Sequence, residues 1–275
     1  MSTLAGKTLI MSGGSRGIGE AIAVRAARDG ANVALIAKTT EPHPKLPGTI
    51  YTAAKAIEEA GGQALPIVGD IRDDEAVEAA VAKTVEQFGG LDVVLNNASA
   101  IDLTSSESIP MKRYDLMQDI NARGSFLLAR TAIPHLRESE NPHILTLSPP
   151  ISLDPKWFTA GHLAYSIAKY SMSLVTVGLA AELKDDGIAA NSLWPRTTID
   201  TAAIRNVVGA ELANRSRTPE IMADSAHAIL TRPSRQTTGN FFIDDEVLAA
   251  EGVTDFAKYR LAEREEDLQL DFWVE

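Results

Sequence analysis

Short apolar runs recur along this chain and alternate with longer stretches in which apolar residues return every three or four positions. Runs of the first kind are typical of buried strands, and stretches of the second kind are typical of helices. The pattern predicts strands at residues 7–12, 32–37, 64–68, 91–95, 143–147, 188–194 and 240–243. It predicts helices at residues 20–29, 49–60, 74–88, 111–138, 165–184 and 219–231, with the fourth helix interrupted at residues 121–124 and at Pro134.

Strands that alternate with helices over most of a chain form a parallel sheet with helices on both faces. We therefore expect an α/β fold, a single doubly wound parallel-sheet domain of Rossmann type that spans residues 1–275. Three segments depart from the regular pattern. Residues 41–48 carry three prolines, residues 196–218 are irregular and form a candidate substrate loop, and residues 244–275 form an acidic C-terminal segment with scattered aromatic residues.

Composition narrows the range of functions. The net charge is -11 over 275 residues, which argues against a nucleic-acid partner. There is no cysteine, which excludes disulfides, thiolate nucleophiles and cysteine-bound metals, and the five histidines lack the spacing of metal ligands. His162 is expected at the surface or at a helix start. No window has the roughly 20 uninterrupted apolar residues of a membrane span. The first residues leave no room for a signal peptide, so we expect a cytoplasmic protein.

A glycine-rich loop follows the first predicted strand and precedes the first predicted helix. Its glycines include Gly13, Gly17 and Gly19. Glycines allow a tight turn and a close approach of the backbone to a pyrophosphate, and a helix N-terminus favours the negative charge. The first two glycines stand further apart than in the usual dinucleotide fingerprint. An ordinary glycine-rich turn is the alternative interpretation.

The end of the second predicted strand bears on the choice of cofactor. An acidic residue there would hydrogen-bond the ribose 2′-hydroxyl of NAD, whereas this chain has Ala37 followed by Lys38. Lys38 and Arg16 of the glycine loop could neutralise a 2′-phosphate. We therefore expect NADP, with NAD as the other candidate. In the alternative interpretation both cations merely face solvent.

Tyr165 and Lys169 lie four residues apart at the front of a predicted helix, which places both side chains on one face. A phenol has a pKa near 10 and is by itself a poor acid or base at neutral pH. A nearby ammonium favours the phenolate and lowers the pKa of the phenol. The pair could therefore exchange a proton with an alcohol oxygen. The alternative is a half-buried tyrosine beside a solvated lysine.

The distinctive residues all follow the carboxyl ends of predicted strands, where ligands bind in sheets of this type. Random placement would scatter such residues between both ends of the sheet. In chain order they are the glycine loop, Lys38, Asp70, Asn97, Ser148 and Pro195, with the Tyr165 helix opening after the fifth strand.

In content and order these pieces resemble the motifs of the short-chain dehydrogenases/reductases. The matching pieces are Gly13-x3-Gly17-x-Gly19, Asp70-Ile71, Asn96-Asn97-Ala98, Asn121, Ser148, Tyr165-x3-Lys169 and Asn191-x3-Pro195. The chain departs from the family pattern at Ser99 and Arg196, where glycine is usual, and in its extended C-terminus. Three stretches are similar to the hydroxysteroid dehydrogenase-like subgroup: Lys38-Thr39-Thr40-x-Pro42-His43-Pro44-Lys45-Leu46, Ser148-Pro149-Pro150 and the closing Leu268-Gln269-Leu270-Asp271-Phe272.

The resemblance implies hydride transfer between a nicotinamide and a carbonyl/alcohol pair. It implies that Tyr165 is the acid/base, that Lys169 lowers the pKa of Tyr165 and holds the nicotinamide ribose, and that Ser148 hydrogen-bonds the substrate oxygen. Asn121 would hold a water that relays protons from Lys169. The cofactor-binding residues would be Gly13, Ser15, Arg16, Gly17, Ile18, Gly19, Lys38, Asp70, Ile71, Asn97, Ala98, Tyr165, Lys169, Pro195 and Thr198.

We expect residues 100–103, residues 151–158 and the segment after Pro195 to line the substrate pocket. Trp157, Phe158 and Trp194 favour an apolar carbonyl substrate, unless they belong to the core. The long helices favour a homodimer or homotetramer, and the C-terminal aromatic residues favour a tail that reaches over the pocket or a neighbouring subunit. Two other functions fit the same residues: a nucleotide-binding protein with little turnover that acts through a partner, and a lyase or epimerase of the same fold.

Overall fold

The computed structural model describes residues 3–42 and 46–275. Seven parallel strands form one sheet in the order β3-β2-β1-β4-β5-β6-β7. The order reverses between β1 and β4, which is where such sheets bind ligands. The strands are β1 Thr8–Ser12, β2 Asn32–Ala37, β3 Gln63–Val68, β4 Val93–Asn96, β5 His143–Thr146, β6 Ala189–Trp194 and β7 Phe241–Ile243. The predicted doubly wound parallel sheet is therefore confirmed.

Helices cover both faces of the sheet. They are α1 Gly17–Ala27, α2 Ile50–Glu59, α3 Asp74–Phe88, α4 Met111–Met117, α5 Gly124–Leu136, α6 Leu163–Glu182, α7 Ala210–Ala213, α8 Glu220–Leu230 and α9 Asp244–Ala250. Side chains alternate between the two faces of a strand. Leu9 and Met11 of β1 accordingly pack in the layer with α1, α2, α8 and α9, and Ile10 packs in the opposite layer with α3, α5 and α6.

Two helix starts show how the sequence sets the boundaries. Thr49 caps α2 through a reciprocal capping box with Thr52, in which each side chain accepts from the other residue's backbone N–H. Asp73 caps α3, because its carboxylate accepts from the Ala76 N–H at 3.1 Å.

The predicted helix at 111–138 is built differently. It consists of α4, a π-helical turn at Gln118–Arg123 and α5, and Pro134 lies inside α5 without ending it. A π-helical turn inserts an extra residue into the helical register and is frequent at functional sites. Asn121 lies within this turn.

The irregular segments contain more structure than the pattern predicts. Residues 196–218 include a π-helical turn at Ile204–Val208 as well as α7. The acidic C-terminal segment contains α9 and two short 3-10 turns, Ala257–Tyr259 and Glu265–Asp267. Part of the proline-rich segment, residues 43–45, lies outside the described residues.

One helix, α6, is long and apolar enough to cross a membrane by length and composition alone. Inside the fold, 61% of its apolar window is buried. Burial of that kind is what the core helix of a folded domain shows, so the helix is weak evidence for a span. Among the described residues, no group of three or more His, Asp or Glu is placed to hold a metal ion.

Candidate active site

A cleft of about 530 Å³ lies at the carboxyl edge of the sheet, beside the ends of β1 and β4. Most of the residues that the sequence predicts to be catalytic or cofactor-binding line this cleft together. They are Gly13, Ser15, Arg16, Gly17, Ile18, Lys38, Asp70, Ile71, Asn97, Ala98, Tyr165, Lys169 and Pro195. Gly19, Asn121, Ser148 and Thr198 do not line the cleft and lie behind its wall.

A second and larger groove, of about 1310 Å³, shares Arg16, Gly17, Thr201 and Ala202 with this cleft. It runs along α1 toward α8 and is lined by neither Tyr165 nor Lys169. We therefore assign the candidate active site to the smaller cleft, which holds the titratable pair.

The glycine loop is shaped for a close approach of backbone to ligand. Gly13 and Gly14 have φ of +78° and +92°, which favours glycine. A Cβ on Gly13 would stand 2.6 Å from Asn97 Nδ2, and one on Gly19 would stand 2.8 Å from the Gly14 Cα. Gly19 is thus a packing position that lets α1 approach the loop, which is why it does not line the cleft.

The start of α1 fits the pyrophosphate of a dinucleotide. The helix begins at Gly17, and its N-cap Arg16 makes no side-chain capping hydrogen bond. The first backbone N–H groups of a helix lack partners within the helix and carry partial positive charge. Since residues 15–18 line the cleft, these donors are placed to bind an anion there.

Hydrogen bonds that Ser12 accepts join the ends of β1 and β4 at the floor of the cleft. The Ser12 hydroxyl accepts from the N–H groups of Asn97 at 3.2 Å and Ala98 at 3.1 Å. The Asn97 side chain donates to the Ser12 carbonyl at 3.0 Å. These bonds fix Asn97 and Ala98 against the glycine loop.

Both cations proposed for a 2′-phosphate are engaged at the mouth of the cleft. The Arg16 guanidinium donates to the carbonyls of Pro47 at 3.0 Å and Gly48 at 2.9 Å. Lys38 pairs with Asp70 at 2.8 Å, and its side chain is 57% exposed. Hydrogen bonds from Arg72 above all, and to a lesser extent from Lys38, hold the pKa of Asp70 well below its usual range, although burial acts in the opposite direction. The two cations therefore line the cleft with backbone or carboxylate partners, and neither merely faces solvent.

Asn121 is fully buried and holds the loop after β4. Its Oδ1 accepts from the Ala100 N–H at 2.7 Å, and its Nδ2 donates to the Ala100 carbonyl at 3.1 Å. Both polar atoms of the side chain are thus used by one backbone unit. The sequence requires a partner for a buried helical asparagine, and the structure shows that the partner is this loop.

Lys169 is 3% exposed and contacts neutral groups. Its Nζ donates to the Leu147 carbonyl at 2.6 Å, lies 3.5 Å from the Met172 sulfur and stands 4.9 Å from the centroid of the Trp194 ring. Burial lowers the pKa of Lys169 to about 7, and the carboxylate of Asp271 acts in the opposite direction.

Tyr165 is 6% exposed beneath C-terminal aromatic residues. Its ring centroid lies 5.8 Å from that of Trp273 and 6.3 Å from that of Phe272. Burial raises the pKa of Tyr165 far above that of a free phenol, and the charge of Asp271 raises it further. The expected lowering by Lys169 is therefore not seen here, because desolvation dominates and the ammonium is directed at Leu147.

Ser148 follows β5 and is fully buried, and its hydroxyl has no hydrogen-bond partner among the described residues. It therefore makes no hydrogen bond with Tyr165. Thr198 likewise turns away from the cleft, since its hydroxyl shares a hydrogen bond of 2.8 Å with Ser216.

The C-terminal segment reaches the cleft by pairing with the chain after β6. The Thr198 N–H donates to the Gln269 carbonyl at 2.9 Å, and the Asp271 N–H donates to the Arg196 carbonyl at 3.0 Å. Thr197 and Leu270 form the antiparallel bridge between these bonds. Trp194 Nε1 donates to the Phe272 carbonyl at 2.8 Å, which anchors the same segment against β6.

His162 packs on this segment. Its ring lies 4.5 Å from Phe272, centroid to centroid. His162 is the N-cap residue of α6 and is 4% exposed. The expected position at a helix start is correct, and the expected surface location is wrong because the C-terminal segment covers the ring.

The sequence motifs miss two groups of cleft residues. Asp271 and Phe272 line the cleft although the sequence assigns them no role in the site, and residues 201–204 line it from the irregular segment, without a residue-level prediction. The sequence signal for Asp271 and Phe272 was the set of aromatic residues in the C-terminal segment, which needed a surface against which to bury.

Comparison with known proteins agrees with this geometry. The sequence model of the family described as short chain dehydrogenase matches residues 7–211. The chain belongs to the short-chain dehydrogenase family. Members of this family are oxidoreductases that use NAD or NADP. A Mycobacterium thermoresistibile short-chain dehydrogenase of known structure is 59% identical, with a TM-score of 0.93, over 99% of this chain and 96% of that one.

Within the short-chain dehydrogenases, the chain is similar to the hydroxysteroid dehydrogenase-like proteins. It is 54% identical to hydroxysteroid dehydrogenase-like protein 2 of Xenopus tropicalis over 94% of this chain and 61% of that protein. The human protein of that name is 48% identical, over 99% of this chain and 64% of the human protein. The chain therefore spans about three fifths of the length of these relatives. Carveol dehydrogenase from Mycobacterium avium, solved with NAD, shares the fold at 22% identity and a TM-score of 0.75.

Proposed function

We propose that this short-chain dehydrogenase transfers a hydride between NADP(H) and an apolar carbonyl/alcohol substrate, with Tyr165, Lys169, Ser148 and Asn121 as the catalytic set. One observation carries the proposal: Tyr165 and Lys169 line the same cleft as the glycine loop and the start of α1. An anion-binding backbone and a proton-exchanging pair thus share one space. We propose further that residues 1–275 act as one catalytic domain.

In this proposal the glycine loop, the start of α1, Asn97 and Asp70 hold the dinucleotide, and the bound nicotinamide supplies or accepts the hydride. Tyr165 gives its hydroxyl proton to the carbonyl oxygen in reduction and takes it back in oxidation. Ser148 donates a hydrogen bond to the same oxygen. The burial that raises the pKa of Tyr165 keeps the phenol protonated at neutral pH, which suits the reducing direction.

Lys169 and Asn121 support the tyrosine. Lys169 binds the nicotinamide ribose, and its positive charge stabilises the phenolate left when Tyr165 releases its proton. Asn121 holds the loop at Ala100 and so fixes the wall beside the reacting carbonyl. A proton relay through a water near Asn121 would use its backbone, because its side chain is occupied.

The preference for NADP rests on the mouth of the cleft. Lys38 and Arg16 both line it, and β2 ends in Ala37 and not in an acidic residue. A 2′-phosphate would compete with Asp70 for Lys38 and with the Pro47 and Gly48 carbonyls for Arg16. Charge-assisted bonds to a phosphate are stronger than bonds to neutral carbonyls, so the exchange is favourable for Arg16.

An apolar substrate fits the side chains around Tyr165. Ile101, Leu103, Trp157 and Phe158 pack half-buried against the cluster that contains Tyr165. Trp194 and Trp273 are buried in the same cluster. A carbonyl compound with aliphatic or alicyclic substituents would meet little polar surface there.

We propose a homodimer or homotetramer that assembles through α5 and α6. Phe126 is 50% exposed on α5, and Leu174 and Val177 are 61% and 43% exposed on α6. Exposed apolar side chains that share one face are typical of an interface. We also place the protein in the cytoplasm, since a cysteine-free chain needs no oxidising compartment.

A second candidate function is nucleotide binding with little turnover, in a protein that acts through a partner. It is favoured by the cover that Phe272 and Trp273 place on Tyr165 and by the buried hydroxyl of Ser148. A substrate must displace or pass this cover to reach the hydroxyl groups.

The two functions separate in one assay. NADPH oxidation would be followed at 340 nm over a panel of aliphatic and alicyclic ketones, with Tyr165→Phe as the test variant and Tyr51→Phe, on the exposed surface of α2, as the control. We expect Tyr165→Phe to lower kcat by about 10²–10⁴-fold while NADPH binding is retained. Binding of NADPH without turnover of any ketone would support the partner-binding function instead.

A further inference from the structure

Asp271 is a carboxylate that the C-terminal segment brings to the candidate catalytic pair. It lines the cleft together with Tyr165 and Lys169, although it stands about a hundred positions later in the chain. The position is fixed by backbone bonds, because Asp271 donates its N–H to Arg196 and its neighbours pair with Thr197 and Thr198. The carboxylate therefore reaches this place as part of a paired strand.

The carboxylate is held in orientation by its own segment. One carboxylate oxygen, Oδ1, accepts from the Phe272 N–H at 2.7 Å. Phe272 in turn is held by the bond from Trp194 Nε1 to its carbonyl. Asp271 is thus restrained on both sides, and its carboxylate group can face the cleft without a rotation of the segment.

Lys169 needs a compensating charge in this site. Its direct contacts are a carbonyl, a thioether and an indole face, all of them neutral. A buried ammonium without a nearby anion is unfavourable and tends to lose its proton. Among the described residues, Asp271 is the acid whose charge acts on Lys169, and Lys169 acts on Asp271 in return.

The neighbouring cation does not compete for Asp271. Arg196 lies directly across the strand pairing, but its guanidinium is bound to Asp245 at 2.8 Å and to Glu246. The other titratable groups on this side of α6 are Tyr165, which is uncharged while it holds its proton, and His162, whose pKa is lowered by burial. Burial raises the pKa of Asp271 to about 6, with Lys169 acting in the opposite direction, so the carboxylate is charged at neutral pH and above.

We propose that Asp271 is a positioning residue for catalysis, whose carboxylate keeps Lys169 charged beside the cofactor ribose and Tyr165. This role rests on the proposed dehydrogenase function. It assigns to the C-terminal segment an electrostatic part in the reaction in addition to its part in covering the cleft. Loss of the carboxylate frees Lys169 to release its proton at lower pH, and a neutral amine no longer stabilises the phenolate of Tyr165.

The test variant is Asp271→Asn, which keeps the size of the side chain and the oxygen that accepts from Phe272. The matched control is Asp267→Asn, in the same segment, where the carboxylate pairs with the exposed Arg264. The first readout is the titration of the Lys169 side chain by NMR in protein labelled at the lysine ε carbon. It needs no turnover and therefore does not depend on the identity of the substrate.

We expect Asp271→Asn to shift the Lys169 titration about one pH unit lower, a tenfold change in its proton affinity, and Asp267→Asn to leave it unchanged. The second readout is the pH profile of kcat at saturating NADPH, whose alkaline limb should move down with the lysine. Unchanged protection of residues 268–274 against hydrogen exchange in Asp271→Asn would show that the segment stays docked.

An unshifted Lys169 titration in a docked Asp271→Asn variant would overturn the positioning role. If ketones were turned over in that case, the dehydrogenase function would still stand. A shifted titration in a protein that reduces no ketone would support the charge coupling and overturn the proposed function. If residues 268–274 lose their protection in Asp271→Asn, the test variant becomes Asp271→Glu. This variant keeps the charge and should show the wild-type titration of Lys169.

Discussion

Trp273 offers a quantitative test of how firmly the C-terminal segment covers the cleft. The indole is 3% exposed and its centroid lies 5.8 Å from Tyr165, 5.5 Å from Tyr170 and 5.6 Å from Trp194. Replacing a buried tryptophan by alanine typically costs about 3–5 kcal/mol. Since about 1.4 kcal/mol is a factor of ten, Trp273→Ala should make opening of the segment more frequent by about a hundredfold or more.

The backbone at Trp273 adds a second, independent expectation. Its φ of +62° is the only positive value among the described residues other than glycine, and a left-handed conformation costs an L-residue about 1–2 kcal/mol. Glycine does not bear this cost. Trp273→Gly should therefore be at least as well protected as Trp273→Ala, although glycine loses more chain entropy on ordering.

The assay for both variants is hydrogen exchange of residues 268–274, read by mass spectrometry. Leu270→Ala serves as the control, because Leu270 belongs to the same segment and is 46% exposed. We expect fast exchange in both Trp273 variants and near-native exchange in the control. Native protection in Trp273→Ala would refute the claim that this side chain anchors the cover over Tyr165, and lower protection in Trp273→Gly than in Trp273→Ala would refute the claim of backbone strain.

Further variants test other parts of the account. Lys38→Ala should weaken NADPH binding by about tenfold and NADH binding much less, as measured by fluorescence titration. Ser148→Ala should lower kcat/KM by about 10–100-fold through the lost hydrogen bond, with NADPH affinity unchanged. Burial raises the pKa of Asp244 to about 7, so the folded protein holds a proton that the unfolded chain releases between pH 4 and pH 7, and wild-type stability falls as pH rises through that window. In urea titrations, Asp244→Asn should therefore be more stable than the wild type at pH 8, and this difference should disappear at pH 5. Phe126→Asp should reduce the mass in light scattering if α5 forms an interface.

The sheet could be predicted from the sequence because its information is local. A parallel strand that is buried on both faces must be a short apolar run, as β1 and β2 are. The carboxyl ends of such strands meet at one edge, so residues that follow the runs were expected to share a cleft. Gly13, Lys38, Asp70 and Asn97 do so.

The sequence carries no comparable local signal for the π-helical turn at residues 118–123. Its apolar spacing is compatible with an ordinary helix, and the extra residue is fixed by tertiary bonds such as those from Asn121 to Ala100. Hydrophobic periodicity does not report such bonds. Hydrophobic periodicity also does not show that α5 continues past Pro134, which lies near the end of that helix.

The C-terminal part of the cleft depends on contacts between distant parts of the chain. Residues 269–271 pair with residues 196–198, and no local pattern encodes a partner that far away. The burial of Tyr165 follows from the same contacts, because Phe272 and Trp273 pack beside its ring. The Tyr-x3-Lys spacing indicates the pair but not its degree of burial.

The central claim is hydride transfer from the nicotinamide to a carbonyl carbon with Tyr165 as the proton donor, and isotope transfer tests it most directly. NADPH carrying deuterium at both positions of the nicotinamide C4 would be incubated with a ketone from the panel, and the alcohol would be analysed by mass spectrometry. We expect an alcohol with one deuterium on its carbinol carbon, and much less of this alcohol from Tyr165→Phe, although that variant still binds NADPH. Formation of alcohol without deuterium, or of as much labelled alcohol by Tyr165→Phe as by the wild type, would contradict the claim.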